Sequence, residues 1–127
     1  CPEAMGDIMA RNRQLADEYH RILISYVMRN GNFLEHPVLQ RGLLWGIGRL
    51  THARPDLVGY AALHLTPFLA SVDPVHRGLA AWALVPIADT HTKALIKPLA
   101  DDNASLSIYI DDNIVDCTVA DLAKRAL

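Results

Sequence analysis

The stretch HPVLQRGLLWGIGRL occupies residues 36–50, and DPVHRGLAAWALVPI occupies residues 73–87. Each places Pro-Val near its start, an Arg-Gly-Leu next and a Trp at its centre. The two begin 37 residues apart. A period of about 20–50 residues marks repeat architectures, in which each unit needs its neighbours to cover an apolar face.

Two weaker copies extend the pattern. Ala4-Met5-Gly6 followed by Ile8 resembles Gly46-Ile47-Gly48 followed by Leu50, and LAAWAL at 79–84 resembles LAKRAL at 122–127. One column is always small (Ala4, Gly46, Ala83, Ala126) and the next is larger and apolar (Met5, Ile47, Leu84, Leu127). A small residue lets two helix backbones approach closely, and a large neighbour fills the adjoining gap. Gly42, Gly46 and Gly48 fall in one line. Each costs a helix about 1 kcal/mol relative to Ala, so close packing is their expected role.

Second helices lie between these lines. Residues 14–29 place Leu15, Tyr19, Ile22, Leu23 and Tyr26 on one apolar face, and Asn30-Gly31-Asn32 stops the helix. Residues 55–70 turn Leu57, Val58, Ala61, Ala62, Leu65, Phe68 and Leu69 inward, with Pro55 in a first turn and a kink expected at Pro67. Residues 91–100 give a shorter helix with Leu95, Ile96 and Leu99 inward and Pro98 placed as Pro67 is. Asp73-Pro74 reads as an N-cap followed by a first-turn Pro, and Thr118 with Asp121 as a capping box. SLSIYI at 105–110 alternates strictly. With the Asp111-Asp112-Asn113 cluster and a second strand at 114–118, it reads as a β-hairpin, acidic through Asp111, Asp112 and Asp116.

The expected fold is therefore all-α, an α-solenoid with one small β-hairpin near the C-terminus. A single domain spans 1–127, with repeats at about 1–35, 36–72 and 73–104, the hairpin at 105–118 and a capping helix at 118–127. Lys124 and Arg125 replace the Ala81 and Trp82 of the earlier line, as a polar terminal cap requires. The first line has no such protection, so at least one further repeat is expected before Cys1. Without it, an apolar end would invite a homodimer.

DPVHRGLAAWALVPIADTHTKALIKPLADD resembles the HEAT-like repeats of phycobilisome-lyase-type and other bacterial proteins. The resemblance rests on the Asp-Pro-Val start, the Arg-Gly, the Ala-Ala-x-Ala-Leu core and the helix ending in acidic residues. It covers 36–127 closely and 1–35 loosely. NFLEHPVLQRGLLWGIGRL is also similar to a bacterial group of HEAT-repeat proteins with no assigned activity. The class implies a right-handed α-solenoid that binds proteins, and it supplies no catalytic residues.

Composition narrows the function. The chain has a formal charge of −2, with seven bases against five acids in residues 1–54 and five against nine in 55–127. Neither half carries the basic stripe that grips phosphate backbones. Cys1 and Cys117 make no zinc spacing, and two unclustered thiols with no secretory leader or membrane span point to the cytoplasm. Some HEAT-repeat hydroxylases hold iron through His-Glu pairs, and no His-Glu dipeptide occurs among the six His here. No metal, cofactor or catalytic set is expected. Trp45 and Trp82 share a column and are expected in the core, each worth about 3–5 kcal/mol on truncation. Arg41 and Arg77 are expected to brace neighbouring repeats, with a binding ladder as the alternative.

The expected function is a non-catalytic scaffold or adaptor that binds a protein partner in a concave groove. Second helices commonly line such grooves, which offers Glu18, Arg21, Ser25, Tyr60, His64, Lys93 and Lys97 as the partner-binding set. The first alternative is an enzyme or accessory factor of the bilin-lyase kind. A cavity lined by Asp, Arg and Tyr would favour it, whereas an open groove poor in pockets would favour the scaffold. Nucleic-acid binding is the second alternative and needs a contiguous basic face.

Overall fold

The opening line forms helix α3, Pro37–Ala53, and its copy forms α6, Pro74–Leu84. Proline suits both starts, because the first-turn N–H it lacks would have no helical partner. Asp73 caps α6, its Oδ1 accepting the Val75 N–H at 2.9 Å. The computed structural model describes residues 2–110 and 112–127, so the expectations attached to Cys1 and Asp111 lie outside the described residues.

Helix α1 is Pro2–Arg11 and α8 is Val119–Lys124. The capping box of α8 is complete, with Thr118 Oγ1 accepting from Asp121 N at 3.1 Å and Asp121 Oδ2 from Thr118 N at 3.0 Å. Contacts run from α1 to α3, from α3 to α6 and from α6 to α8. Glycines set the spacing in this row. A Cβ on Gly6 would fall on the Gly46 backbone, and one on Gly46 would fall on the Pro2 carbonyl. On the other side of α3, Gly48 leaves the space that the Trp82 ring of α6 fills.

The small column holds at Gly46, Ala83 and Ala126, all buried, and fails at Ala4, which is exposed. Gly6 is the buried small residue of α1. In the larger column Ile47 and Leu84 are fully buried, Met5 is half-buried and Leu127 is half-exposed. Only α3 and α6 are flanked on both sides in the row, so only they bury the whole pair. Lys124 and Arg125 are exposed where Ala81 and Trp82 are buried.

The second helices are less regular. Helix α2, Arg13–Ser25, ends before Asn30 and passes into turns. Its buried face is Ala16, His20, Leu23 and Ile24, continued by Val27 in the turn beyond it, while Tyr19 and Ile22 are exposed. The apolar count misplaced this face because its inner positions include a small Ala and a His. Residues 55–70 break into α4, Pro55–Val58, a 3-10 turn at Gly59–Ala61, α5, Ala62–Leu65, and a 3-10 turn at Thr66–Ala70. Helix α7, Thr90–Ile96, likewise passes into a 3-10 turn at Lys97–Asp101. Pro67 and Pro98 sit second in their turns, where each removes an α-helical N–H and its ring clashes with the preceding turn. Thr92 is buried in α7 with Ile96, and Leu95 is exposed instead of inward.

Strands β1, Ser105–Ile110, and β2, Asn113–Thr118, pair antiparallel in the register Ser105↔Thr118 to Ile110↔Asn113. Asp112 turns the hairpin with φ of 64°, a left-handed conformation that Asp tolerates. Leu106 and Ile108 face the core, and a Cβ on Gly78 of α6 would meet Leu106. Arg41 and Arg77 are committed to structure. Arg41 donates to Asp73 Oδ2 from Nη2 at 2.8 Å and from Nε at 3.1 Å. Arg77 donates to Asp102 Oδ2 at 2.8 Å and to the Ser71 carbonyl at 2.9 Å. Each links its helix to an Asp that also orders the chain ahead of the next element. Among the described residues no helix is long and apolar enough to cross a membrane.

Gly6→Ala should destabilise the chain by about 3 kcal/mol, since the added carbon meets backbone that cannot rotate away. Gly59→Ala should instead stabilise it by about 0.5 kcal/mol, because Gly59 has helical angles and nothing within 4 Å of the new carbon. Urea melts followed by circular dichroism compare the two. Equal effects would contradict the close α1–α3 approach.

Candidate functional site

The residues expected to form one partner-binding groove are distributed. Arg21 and Tyr60 line one shallow hollow with His20, Met28 and Leu57. There the Tyr60 hydroxyl and His20 Nδ1 are 2.8 Å apart, with the rings edge-on at 5.6 Å. Burial raises the Tyr60 pKa and lowers that of His20. His64 lines a different hollow, between the 66–70 turn and the segment after α2. Ser25 is engaged locally, donating to the Ile22 carbonyl and accepting from Asn32 Nδ2 at 3.2 Å. Glu18, Lys93 and Lys97 are exposed and line none of these depressions.

A larger cleft of about 650 Å³ opens on the face carried by the first helices. Glu3, Asp7 and Arg11 of α1 form one wall, and Trp45, Arg49 and His52 of α3 form the floor with Trp82 of α6. Tyr109, Ile110 and Asp112 of the hairpin form the opposite wall, and Arg125 closes one end. The Trp45 indole N–H donates to the Tyr109 carbonyl at 2.9 Å, and the two rings meet edge-on at 6.1 Å. This bond fixes the hairpin to α3 and leaves the indole half-buried, not in the core as its column suggested. Trp82 is 5% exposed and stacks on His52 at 4.7 Å and 25°.

Asp7 carries two guanidinium groups, Arg49 Nε at 3.1 Å and Arg11 Nε at 3.3 Å. The His52 Nε2–H donates to the Trp82 carbonyl at 2.9 Å. Burial lowers the His52 pKa despite this bond, and Arg125 and Arg49 lower it further, so the ring is neutral at pH 7. Among the described residues no group of three or more His, Cys, Asp or Glu is placed to hold a metal ion.

Local patterning could not find this cleft, because its second wall comes from a hairpin 64 residues beyond Trp45. The available signal was the hairpin itself, inserted where a helix would otherwise follow. No family model matches the chain, and no curated protein or solved structure matches it either.

Trp82→Ala should cost about 3–5 kcal/mol, and Trp45→Ala clearly less, because only the first leaves a closed cavity. Equal losses in denaturant melts would contradict the half-buried setting of Trp45.

Stability should fall in two pH windows. His20 and His52 have folded pKa values below the unfolded value of about 6.5, so their contribution is present above that value and lost as pH falls from it through the folded pKa values. Arg77 and the Ala104 N–H hold the Asp102 pKa down against burial. Burial raises the Asp73 pKa, but Arg41 and the Val75 N–H outweigh it and the net shift is downward. The contribution of both carboxylates is present above about pH 4 and lost as pH falls through their folded pKa values. His52→Gln should shrink the first decline and leave the second. A single decline below pH 4 in urea midpoints would refute the histidine contribution.

Proposed function

We propose that the protein is a HEAT-like α-solenoid that serves as an interaction module, and that the aromatic cleft receives an extended segment of a partner protein. The chain-order contacts from α1 through α3 and α6 to α8 support the solenoid. The observation that carries the partner reading is the company in the cleft: Trp45, Trp82 and Tyr109 with Arg11, Arg49 and Arg125. Trp, Tyr and Arg dominate the energetics of protein interfaces, because they combine large apolar area with a directional polar group. Glu3, Asp7 and Asp112 balance the three cations. A mixed-charge peptide with one aromatic or aliphatic anchor fits that balance, and a polyanion such as nucleic acid does not.

The cleft also supports a second reading. Asp7, Asp112, Arg49 and Tyr109 together supply the Asp, Arg and Tyr lining that a bilin-lyase-like factor would use. Absorbance titration with a bilin separates the two, since a saturable red shift abolished by Tyr109→Ala would favour the chromophore.

Selection from a random peptide display library tests the partner reading. Enriched peptides should share an apolar anchor flanked by mixed charge. Binding should weaken by about tenfold in Tyr109→Ala and in Arg125→Glu, as expected for hot-spot residues. Tyr109 is 47% exposed and bonds Trp45 through its backbone, so both variants should fold. Peptides that bind both variants as well as the parent would overturn the assignment of the cleft.

A further inference from the structure

The hollow that contains His64 has a different chemistry from the cleft and shares no lining residue with it. Its volume is about 540 Å³, within the range of small-molecule sites. Phe33, Leu63, Pro67 and Phe68 give it an apolar body, and Leu63 stands 75% exposed at its edge. Arg29 lies over the Phe33 ring, 4.9 Å from the centroid. No carboxylate lines the hollow. Asp73, 3.8 Å from the lining His76, already accepts from Arg41 and the Val75 N–H.

The floor is rigid. Gln40 donates to the Leu34 carbonyl at 2.9 Å. His76 is held at both nitrogens, by Pro37 O at 3.0 Å and Ser71 Oγ at 3.3 Å. These two buried residues each stand immediately before the Arg-Gly of their sequence line, so equivalent positions relative to Arg-Gly brace the hollow twice. At the rim, Arg29 has no acidic partner among the described residues, and it is joined by Asn30 and His64. A fixed apolar cup with a cationic rim and no competing acid selects one kind of ligand.

We infer that this hollow binds a small amphipathic anion, with a carboxylate or phosphate head at Arg29 and His64 and an apolar tail against Phe33, Leu63 and Phe68. A guanidinium pairs with either head through directed N–H bonds, and its place over the Phe33 ring keeps Arg29 at the rim. The apolar wall supplies most of the buried area, and the rim supplies the choice of charge.

The test is an NMR titration of the full chain with octanoate, octyl phosphate, octylammonium and octanol as probes. One or both anions should give saturable shifts at the amides of Phe33, Leu63 and Phe68, at least about tenfold tighter than octanol or octylammonium. Tighter octanoate would assign a carboxylate head, and tighter octyl phosphate a phosphate head. Arg29→Gln should remove the preference for anions while leaving the circular dichroism unchanged, because Arg29 is exposed and forms no ion pair among the described residues. His64→Gln should weaken it in part. Equal binding of anion, cation and alcohol, an absence of saturable shifts at these amides, or an intact preference in Arg29→Gln would overturn the proposal.

Discussion

Everything in the helical row depends on how closely two backbones can approach. Gly6 and Gly46 remove the side chains that would hold α1 and α3 apart, and Gly48 opens the seat for Trp82 on the far side of α3. Three helices are thereby drawn together by absent atoms. The cost is conformational, since glycine weakens a helix, and it is offset by the dispersion contacts of tightly stacked neighbours. The cleft is a product of this spacing. Its floor is carried by α3 and α6, with Trp82 seated in the space that Gly48 leaves and Trp45 half-buried beside the hairpin.

Charge fixes what packing brings near. Arg41 and Arg77 each reach forward to an Asp that orders the next segment, Asp73 at the head of α6 and Asp102 ahead of the hairpin. Both pairs are partly shielded, which makes their geometry more consequential than that of freely exposed ion pairs. Asp7 works differently, since it holds Arg11 of α1 and Arg49 of α3 together beside the cleft and joins the two helices there.

The repeated line was legible because it is written in residues with narrow roles: Pro at a helix start, Gly at a close approach, Asp at a cap. The hairpin was legible for the same reason, and its strands match the expected segments within one residue. The face of α2 was not legible, because His20 reads as polar until Tyr60 is seen beside it. The breaks in the 55–70 segment were half legible. Pro67 announced one, whereas Gly59, with helical angles, gave no warning of the other. Of the residues expected to line a groove, Arg21 and Tyr60 share one hollow and His64 lines another, and 3-10 turns interrupt the segments that carry Tyr60, His64 and Lys97. The cleft escaped notice because its two walls are far apart in the chain.

The chain has only two tryptophans, and both line the same cleft. Its ultraviolet emission is therefore a local signal. Trp82 is buried and stacked on His52, whereas Trp45 is half-buried and touches the hairpin. Detachment of the hairpin would shift the Trp45 spectrum while α2 and α7 remained folded, and melting of those helices alone would pass unseen by tryptophan-selective emission. The protein thus carries an optical gauge of one surface, and a difference between its fluorescence and dichroism melts would measure how independently the hairpin opens.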